Sequence, residues 1–162
     1  SIKINKQALT MNKKNWLIAT LILFILTSSF TPAGLCLRQG IKGKAVRVSG
    51  NRMPSPDIPL PEPKPISTTI YIFEITNIKQ VVRQENTSFY TAVNSNLVKK
   101  AESNNKGAFK IKLKPGLYSV FTKKGDLYYA NTFDQDNNIA PVKVEKGKYT
   151  DLEIRIDYDA VY

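Results

Sequence analysis

The sequence contains no histidine, and this absence excludes several kinds of catalytic and metal site. Histidine is the commonest general base near neutral pH and belongs to the Ser-His-Asp and Cys-His arrangements. It is also a frequent ligand of zinc. The single cysteine, Cys36, excludes a disulfide within the chain. We therefore expect no enzyme activity, no catalytic residue, and no cofactor.

Acidic residues are also few, since 13 of them stand against 24 lysines and arginines and leave a net charge of +11. A basic surface attracts nucleic acid, anionic lipid or acidic polysaccharide. Here, however, the lysines alternate with apolar residues, as Lys110 and Lys112 do with Phe109 and Ile111. This alternation indicates solvent-exposed strand faces, and we expect no nucleic-acid partner.

Long apolar runs are absent except for Trp16–Leu26, near the N-terminus. Two lysines precede this run, and a small and polar stretch ending at Cys36 follows it. The run is about half the ~20 residues that span a bilayer as a helix. The pattern predicts a helical signal peptide over residues 11–36, with residues 1–10 as an upstream extension before Met11. An uncleaved membrane anchor is the alternative.

Cys36 allows two readings of the end of this segment. A lipoprotein signal places small residues directly before a cysteine that receives the lipid, and here Ala33 and Gly34 are followed by Leu35. The leucine departs from that pattern. Lipidation of Cys36 would add an acyl anchor, whereas cleavage near Ala33 or just after Cys36 would release a soluble protein.

The most informative stretch of the remaining domain, residues 37–162, is Lys106–Thr122. Apolar residues alternate with lysines up to Leu113, which is the period of a strand with one buried face. Pro115-Gly116 then provides the two residues that a type II turn requires. A second β-prone run follows at Leu117–Thr122. We predict an antiparallel hairpin at the centre of the fold.

Further short strands are predicted on both sides of this hairpin. Gly40–Ser49 forms the first, where Gly43 indicates a bulge or a close backbone approach. Thr68–Thr76 is apolar on both faces and suits a central strand, and Thr150–Asp157 forms the last. Between the first two lies a proline-rich loop at residues 54–65. About seven strands separated by turns predict an all-β, antiparallel Greek-key β-sandwich.

The run NNKGAFKIKLKPGLYSV resembles the pattern G-x-F-x-φ-x-L-x-P-G-x-Y-x-φ, where φ is apolar, of carboxypeptidase-regulatory-like domains. The opening GIKGKAVRVSGNRMP and the ending VKVEKGKYTDLEIRIDY are similar to the first and last strands of stand-alone bacterial envelope proteins of that group. The resemblance covers about Gly40–Tyr162 and implies a transthyretin-like (prealbumin-like) sandwich. It implies an appendage, stalk or binding module rather than the zinc peptidase.

Asp134, Asp136 and Asn138 are the best metal candidates, because alternating oxygen ligands can fold around Ca²⁺. An EF-hand loop would need a glycine where Ile139 stands, and Pro141 interrupts the loop. Asp and Asn also form ordinary turns by bonding to their own backbone. The sequence therefore favours a turn over a calcium site.

Tyr128 and Tyr129 are candidates for a ligand platform, because adjacent strand residues point to opposite faces. One of the two is therefore expected at the surface. Core packing is the competing explanation for these aromatic side chains. From the whole sequence we expect a non-catalytic, monomeric module of the bacterial envelope, periplasmic or at the outer membrane, with a structural or binding function and an envelope protein or glycan as partner. A carbohydrate- or protein-binding accessory of an envelope transport system is the alternative, and a hydrolase is a distant one.

Overall fold

A computed structural model describes residues 38–53 and 60–162. The predicted signal segment at residues 11–36, Cys36 and the first half of the proline-rich loop lie outside the described residues. In the part that is described, we find no helix whose length and hydrophobicity would carry it across a bilayer.

The described chain folds into two β-sheets, which confirms the predicted all-β sandwich. Its strands are β1 Gly40–Asn51, β2 Lys64–Pro65, β3 Thr69–Glu74, β4 Val81–Arg83, β5 Phe89–Val93, β6 Leu97–Glu102, β7 Ala108–Lys112, β8 Gly116–Lys124, β9 Leu127–Tyr129, β10 Pro141–Val144 and β11 Tyr149–Val161. A turn of 3-10 helix at Ile78–Gln80 precedes β4. The strands outnumber the seven or so expected, in part because β2 and β4 have only two and three residues and lie in segments predicted to be loops.

The larger sheet has seven antiparallel strands, six of which lie in the order β4-β5-β9-β8-β3-β6. Strand β10 pairs with β8 on the same side as β9, at the other end of β8. The smaller sheet has the order β11-β1-β2, and β7 also pairs with β1. One pairing departs from the expected antiparallel arrangement, because β1 and β11 run parallel. The first and last strands thus lie side by side.

The predicted hairpin at Lys106–Thr122 is wrong, although both of its strands exist. Strand β7 pairs with β1 in the smaller sheet, whereas β8 pairs with β3, β9 and β10 in the larger one. The chain crosses from one sheet to the other through Pro115. The apolar rows of β7 and β8 consequently face each other across the core.

Two apolar clusters hold the sheets. The cluster between the sheets contains the following buried residues: Ile41, Ile70, Ile72, Phe109, Ile111, Leu113, Tyr118, Val120, Val142 and Val144. The second covers the outer face of the larger sheet with Phe73, Tyr90, Phe121, Ala130 and Ile139. Strand β3 contributes to both, as expected for a central strand covered on both faces. The last strand also follows its prediction, since Leu152, Ile154 and Ile156 pack inward.

The proline-rich segment ends as part of the smaller sheet rather than as a loop. Lys64 and Pro65 pair with Arg47 and Val46 of β1. Proline is tolerated there because β2 is an edge strand that needs no further donor on its free side. The side chain of Arg52 donates to the carbonyl oxygen of Pro61 and fastens the segment to the end of β1.

Candidate functional site

The predicted calcium candidates lie in the connection between β9 and β10, where they form a tight turn. The Oδ1 atom of Asp134 accepts the backbone N–H groups of Asp136 at 3.0 Å and Asn138 at 2.8 Å. Its Oδ2 atom accepts the side-chain amide of Asn138 at 2.9 Å. The bonds from Asn138, above all, lower the pKa of Asp134. Both oxygens of this carboxylate are therefore used by its own loop, as in an Asx turn.

A neighbouring strand connection fixes this turn from outside. The side-chain amide of Asn77 donates to the carbonyl oxygen of Asp136 at 2.7 Å. In residues 38–53 and 60–162, no group of three or more acidic residues or cysteines is gathered as a metal site would require. In this loop the side chains of Asp134 and Asn138 are hydrogen-bonded to each other, as in a structural turn.

The two candidate platform residues, Tyr128 and Tyr129, point to opposite faces of the larger sheet, but neither is fully exposed. Tyr128 is half-buried on the outer face, edge-on to Tyr71 and Phe121. Tyr129 is buried on the inner face, where it contacts Phe89. The outer residue is thus mainly a packing residue, while the inner one belongs to a groove.

This groove, which we call the β11 groove, is created by a bulge in the last strand. Arg47 of β1 lies opposite Ile156, yet Ser49, two residues later, lies opposite Asp159. Strand β11 therefore has one residue more than its partner in this interval. Such a bulge bends the strand and redirects side chains, and it is rare between parallel strands. Asp157 and Tyr158 are the residues at this irregularity.

Both side chains at the bulge consequently reach the larger sheet, although successive residues of a regular strand point to opposite faces. The carboxylate of Asp157 accepts a hydrogen bond from the hydroxyl of Tyr129. The ring of Tyr158 packs edge-on against Tyr129, with centroids 5.1 Å apart, and also contacts Phe89. Tyr129 thus makes both a hydrogen bond to Asp157 and an aromatic contact with Tyr158.

The carboxylate of Asp157 is held by three neutral donors. Besides Tyr129, the side-chain amide of Asn131 donates to its Oδ1 at 2.5 Å, and the hydroxyl of Tyr162 donates to its Oδ2 at 2.8 Å. Within the described ranges, no lysine or arginine forms an ion pair with Asp157, whereas Asp159 pairs with both Arg47 and Lys124. Asp157 therefore orients hydroxyl and amide groups rather than neutralising a cation.

These bonds raise the pKa of two tyrosines of the groove, Tyr129 and Tyr162. Burial, followed by the hydrogen bond to Asp157, raises the pKa of Tyr129 well above its usual range. The hydrogen bond to Asp157 is also the main reason that the pKa of Tyr162 is raised. A tyrosine of ordinary pKa is already protonated at neutral pH, and both hydroxyl groups donate to Asp157.

The groove itself is open to solvent and has a volume of about 430 Å³. Its walls are aromatic and polar, with Phe89 and Tyr129 from the larger sheet and Tyr158 from the bulge. Tyr162 stands at its rim with 65% of its surface exposed. The Nζ atom of Lys124 lies 4.1 Å from the centroid of Tyr158, on one face of that ring. The arrangement offers ring faces and hydrogen-bonding groups together.

Most of these residues were not identified from the sequence. Tyr129 is a predicted candidate, but Phe89, Asn131, Asp157 and Tyr158 are not. Strict alternation after Ile156 places Asp157 on the solvent face of β11, and no signal in the sequence marks the extra residue of the bulge. The one feature of the sequence that could have indicated a binding site is the close spacing of Asp157, Tyr158 and Tyr162.

Neither models of protein families, nor curated proteins, nor solved structures gave a match to this chain.

Proposed function

We propose that this protein is an exported, non-catalytic β-sandwich module with a structural or binding function in the bacterial cell envelope. The β11 groove is the observation that carries a binding function, because it combines aromatic faces with oriented hydrogen-bonding groups. The signal-like pattern of residues 11–36 supports export to the periplasm or the outer membrane. The resemblance to carboxypeptidase-regulatory-like domains supports a module rather than an enzyme.

The chemistry of the groove favours binding over hydrolysis. Asp157 is the one carboxylate among the residues that the structure places along its walls. Glycoside hydrolysis generally requires two carboxyl groups about 5 to 10 Å apart on either side of the bond. Asp157 is also engaged by three donors of the protein.

The second candidate function is that of a carbohydrate-binding accessory protein. Sugar rings present an apolar face that can lie on an aromatic ring, and hydroxyl groups that suit carboxylate and amide partners. Tyr158 and Tyr162 offer the rings. The carboxylate of Asp157 accepts three bonds from the protein and has a further acceptor position for a sugar hydroxyl. This combination favours a glycan over a purely apolar ligand.

Export is tested by intact-mass spectrometry of the protein from fractionated cells. We expect the envelope fraction to contain a chain that begins near Cys36, because signal peptidases remove the preceding segment. An added mass of acyl chains on Cys36 would identify a lipoprotein, and an unmodified N-terminus would identify a soluble periplasmic protein. An intact chain in the cytoplasm would contradict the proposal.

Glycan binding is tested with an array of peptidoglycan fragments and lipopolysaccharide core oligosaccharides. We expect the full chain to bind a subset of them, and Tyr162→Ala to weaken that binding about 5- to 10-fold because a stacking ring is lost. Tyr162 is exposed, so this change should leave the fold intact. Tyr149→Ala removes the same side chain from the same strand outside the groove and should bind like the wild type. Absence of binding by the wild type, or equal losses in both variants, would remove the carbohydrate function.

A further inference from the structure

The outer face of the larger sheet carries two lysines beside the ring of one tyrosine. The Nζ atom of Lys100, on β6, lies over the ring of Tyr71, on β3, at 5.5 Å from its centroid. The Nζ atom of Lys123, on β8, lies 5.4 Å from the same centroid and 4.4 Å from the centroid of Tyr128. Ammonium groups are attracted to the electron-rich faces of aromatic rings. Two positive charges are therefore held beside one side chain.

The pairing of the strands brings these side chains together. Tyr71 lies opposite Lys100 on one side and opposite Phe121 on the other. Lys123 follows Phe121 by two residues, so both side chains point to the same face, and Lys123 lies opposite Tyr128 of β9. The two lysines are distant in the sequence, and the register of β6, β3 and β8 places both of them at Tyr71.

Neither lysine has an acidic partner among the residues that the structure describes. Glu102 follows Lys100 by two residues on β6, yet within the same described ranges it forms no ion pair with Lys100 or Lys123. Lys124 differs from both, because its ammonium group contacts a ring and also pairs with Asp159. A neighbouring ring does not cancel a charge, so Lys100 and Lys123 still attract anions.

Exposed apolar side chains lie next to these lysines on β6. Leu97 is opposite Phe73, whose ring belongs to the cluster on the outer face, and 50% of the surface of Leu97 is exposed. Val98 lies at the irregularity in the pairing of β6 with β3 and is 44% exposed. Strand β6 is the last in the order of the larger sheet, so both side chains lie at its margin. Apolar side chains beside cationic ones are typical of protein surfaces that lie on lipid bilayers.

We propose that the Tyr71 surface, formed by Tyr71, Leu97, Lys100, Lys123 and Tyr128, docks on the surface of a bilayer that contains anionic lipids. The two lysines approach the lipid phosphates, which carry the opposite charge. Leu97 enters the boundary between head groups and acyl chains. The tyrosines stay at the level of the head groups, where side chains with an apolar ring and a polar tip are preferred.

The geometry of the Tyr71 surface favours a lipid surface over a sugar. Tyr71 and Tyr128 stand edge-on to each other, with centroids 5.4 Å apart and an angle of 88° between their planes. An ammonium group lies over each of the two rings, so a sugar ring has no free pair of faces on which to lie. The surface is on the opposite face of the larger sheet from the β11 groove, and the inference does not rest on the proposed function.

Sedimentation of the full chain with lipid vesicles tests this inference. Vesicles of phosphatidylglycerol and phosphatidylcholine in equal parts are compared with vesicles of phosphatidylcholine alone. We expect tighter binding to the anionic vesicles, and a preference that declines as the salt concentration rises. The double variant Lys100→Gln, Lys123→Gln should bind the anionic vesicles about 10- to 30-fold more weakly, because each lysine near the surface contributes about 5-fold. The apolar run Trp16–Leu26 is the same in every variant, so differences between variants report the Tyr71 surface.

Lys44→Gln with Lys110→Gln is the matched control. This double variant removes the same charge from the smaller sheet, where Lys110 also lies over a tyrosine ring, that of Tyr149, at 4.6 Å from its centroid. It should weaken binding to the anionic vesicles by less than about threefold, because these lysines are not on the docking face.

A second pair of variants tests the apolar part of the surface. Leu97→Ala should weaken binding to the anionic vesicles about 3- to 10-fold, because less apolar surface enters the bilayer. Leu60 has the same exposure, 50%, but lies outside the Tyr71 surface, so Leu60→Ala should bind like the wild type.

Three results would overturn the proposal. The first is equal binding of the wild type to both kinds of vesicle. The second is an equal loss in the two double variants, which would mean that only the net charge matters. The third is that Lys100→Gln, Lys123→Gln weakens binding of a soluble acidic polysaccharide, polygalacturonate, but not of anionic vesicles, which would assign the lysines to a glycan. If the half-buried position of Lys123 does not tolerate glutamine, Lys100→Gln alone, at an exposed position, should still weaken binding to anionic vesicles about 5-fold.

Discussion

Replacing Gly43 by alanine should lower the free energy of unfolding by about 4 kcal/mol or more. Gly43 lies in β1, between β11 and β7, and a Cβ atom at this position would overlap the carbonyl oxygen of Leu152. The obstacle is backbone rather than a flexible side chain, so it cannot move aside without separating the parallel strands. Since small domains are stable by about 5 to 15 kcal/mol in total, a loss of this size removes a large share of the stability. Urea denaturation measures the loss.

Gly50→Ala is the matched control for this prediction. Gly50 lies in the same strand, but no atom lies within 4 Å of the position its Cβ would take. Only its φ of 80° opposes a side chain, which costs about 1 to 2 kcal/mol. Equal losses of stability in the two variants would contradict the close approach of β1 and β11 at Gly43.

Replacing Phe121 by alanine should cost about 3 to 5 kcal/mol, although this residue lies on the outer face of the larger sheet. Phe121 is fully buried. Its ring makes edge-on contacts with Phe73 and Tyr90, with centroids 5.5 and 5.7 Å apart. The change would leave a cavity in the second cluster. The side chains around Phe121 belong to separate strands, so they cannot move together to fill the space. Thermal and urea unfolding both report this effect.

Leu117→Ala provides the comparison within the same strand. Leu117 is 53% exposed, so its truncation should change stability by no more than about 0.5 kcal/mol. A loss of less than about 1 kcal/mol for Phe121→Ala would mean that the outer face is not a second core. The sandwich would then rest on the cluster between its sheets alone.

Much of the strand content of this protein can be predicted from local patterns. The alternation in β7 and in β11 identifies both strands and their buried faces. The apolar character of both faces of β3 also correctly predicts a central strand with packing on each side. These predictions succeed because side-chain direction in a strand depends only on neighbouring residues.

Local patterns do not predict which strands pair with each other. The sequence around Pro115-Gly116 fits a hairpin turn, yet β7 and β8 belong to different sheets. The apolar residues of a strand are buried equally well whether the next strand pairs with it in the same sheet or packs against it from the facing sheet. The parallel pairing of β1 with β11, which brings together the two ends of the described domain, leaves no local signal either.

The sequence by itself predicted an all-β chain and several of its main strands with their buried faces, since these follow from the chemistry of neighbouring residues. At Gly43 it left a bulge and a close backbone approach as alternatives, and the structure shows the close approach, to Leu152. Only the tertiary structure decided the crossing between sheets and the bulge that turns Asp157 and Tyr158 toward Tyr129. The physical reason is that these features arise from the register of strands distant along the chain. A shift of one residue in that register, invisible in the local pattern, redirects every side chain that follows.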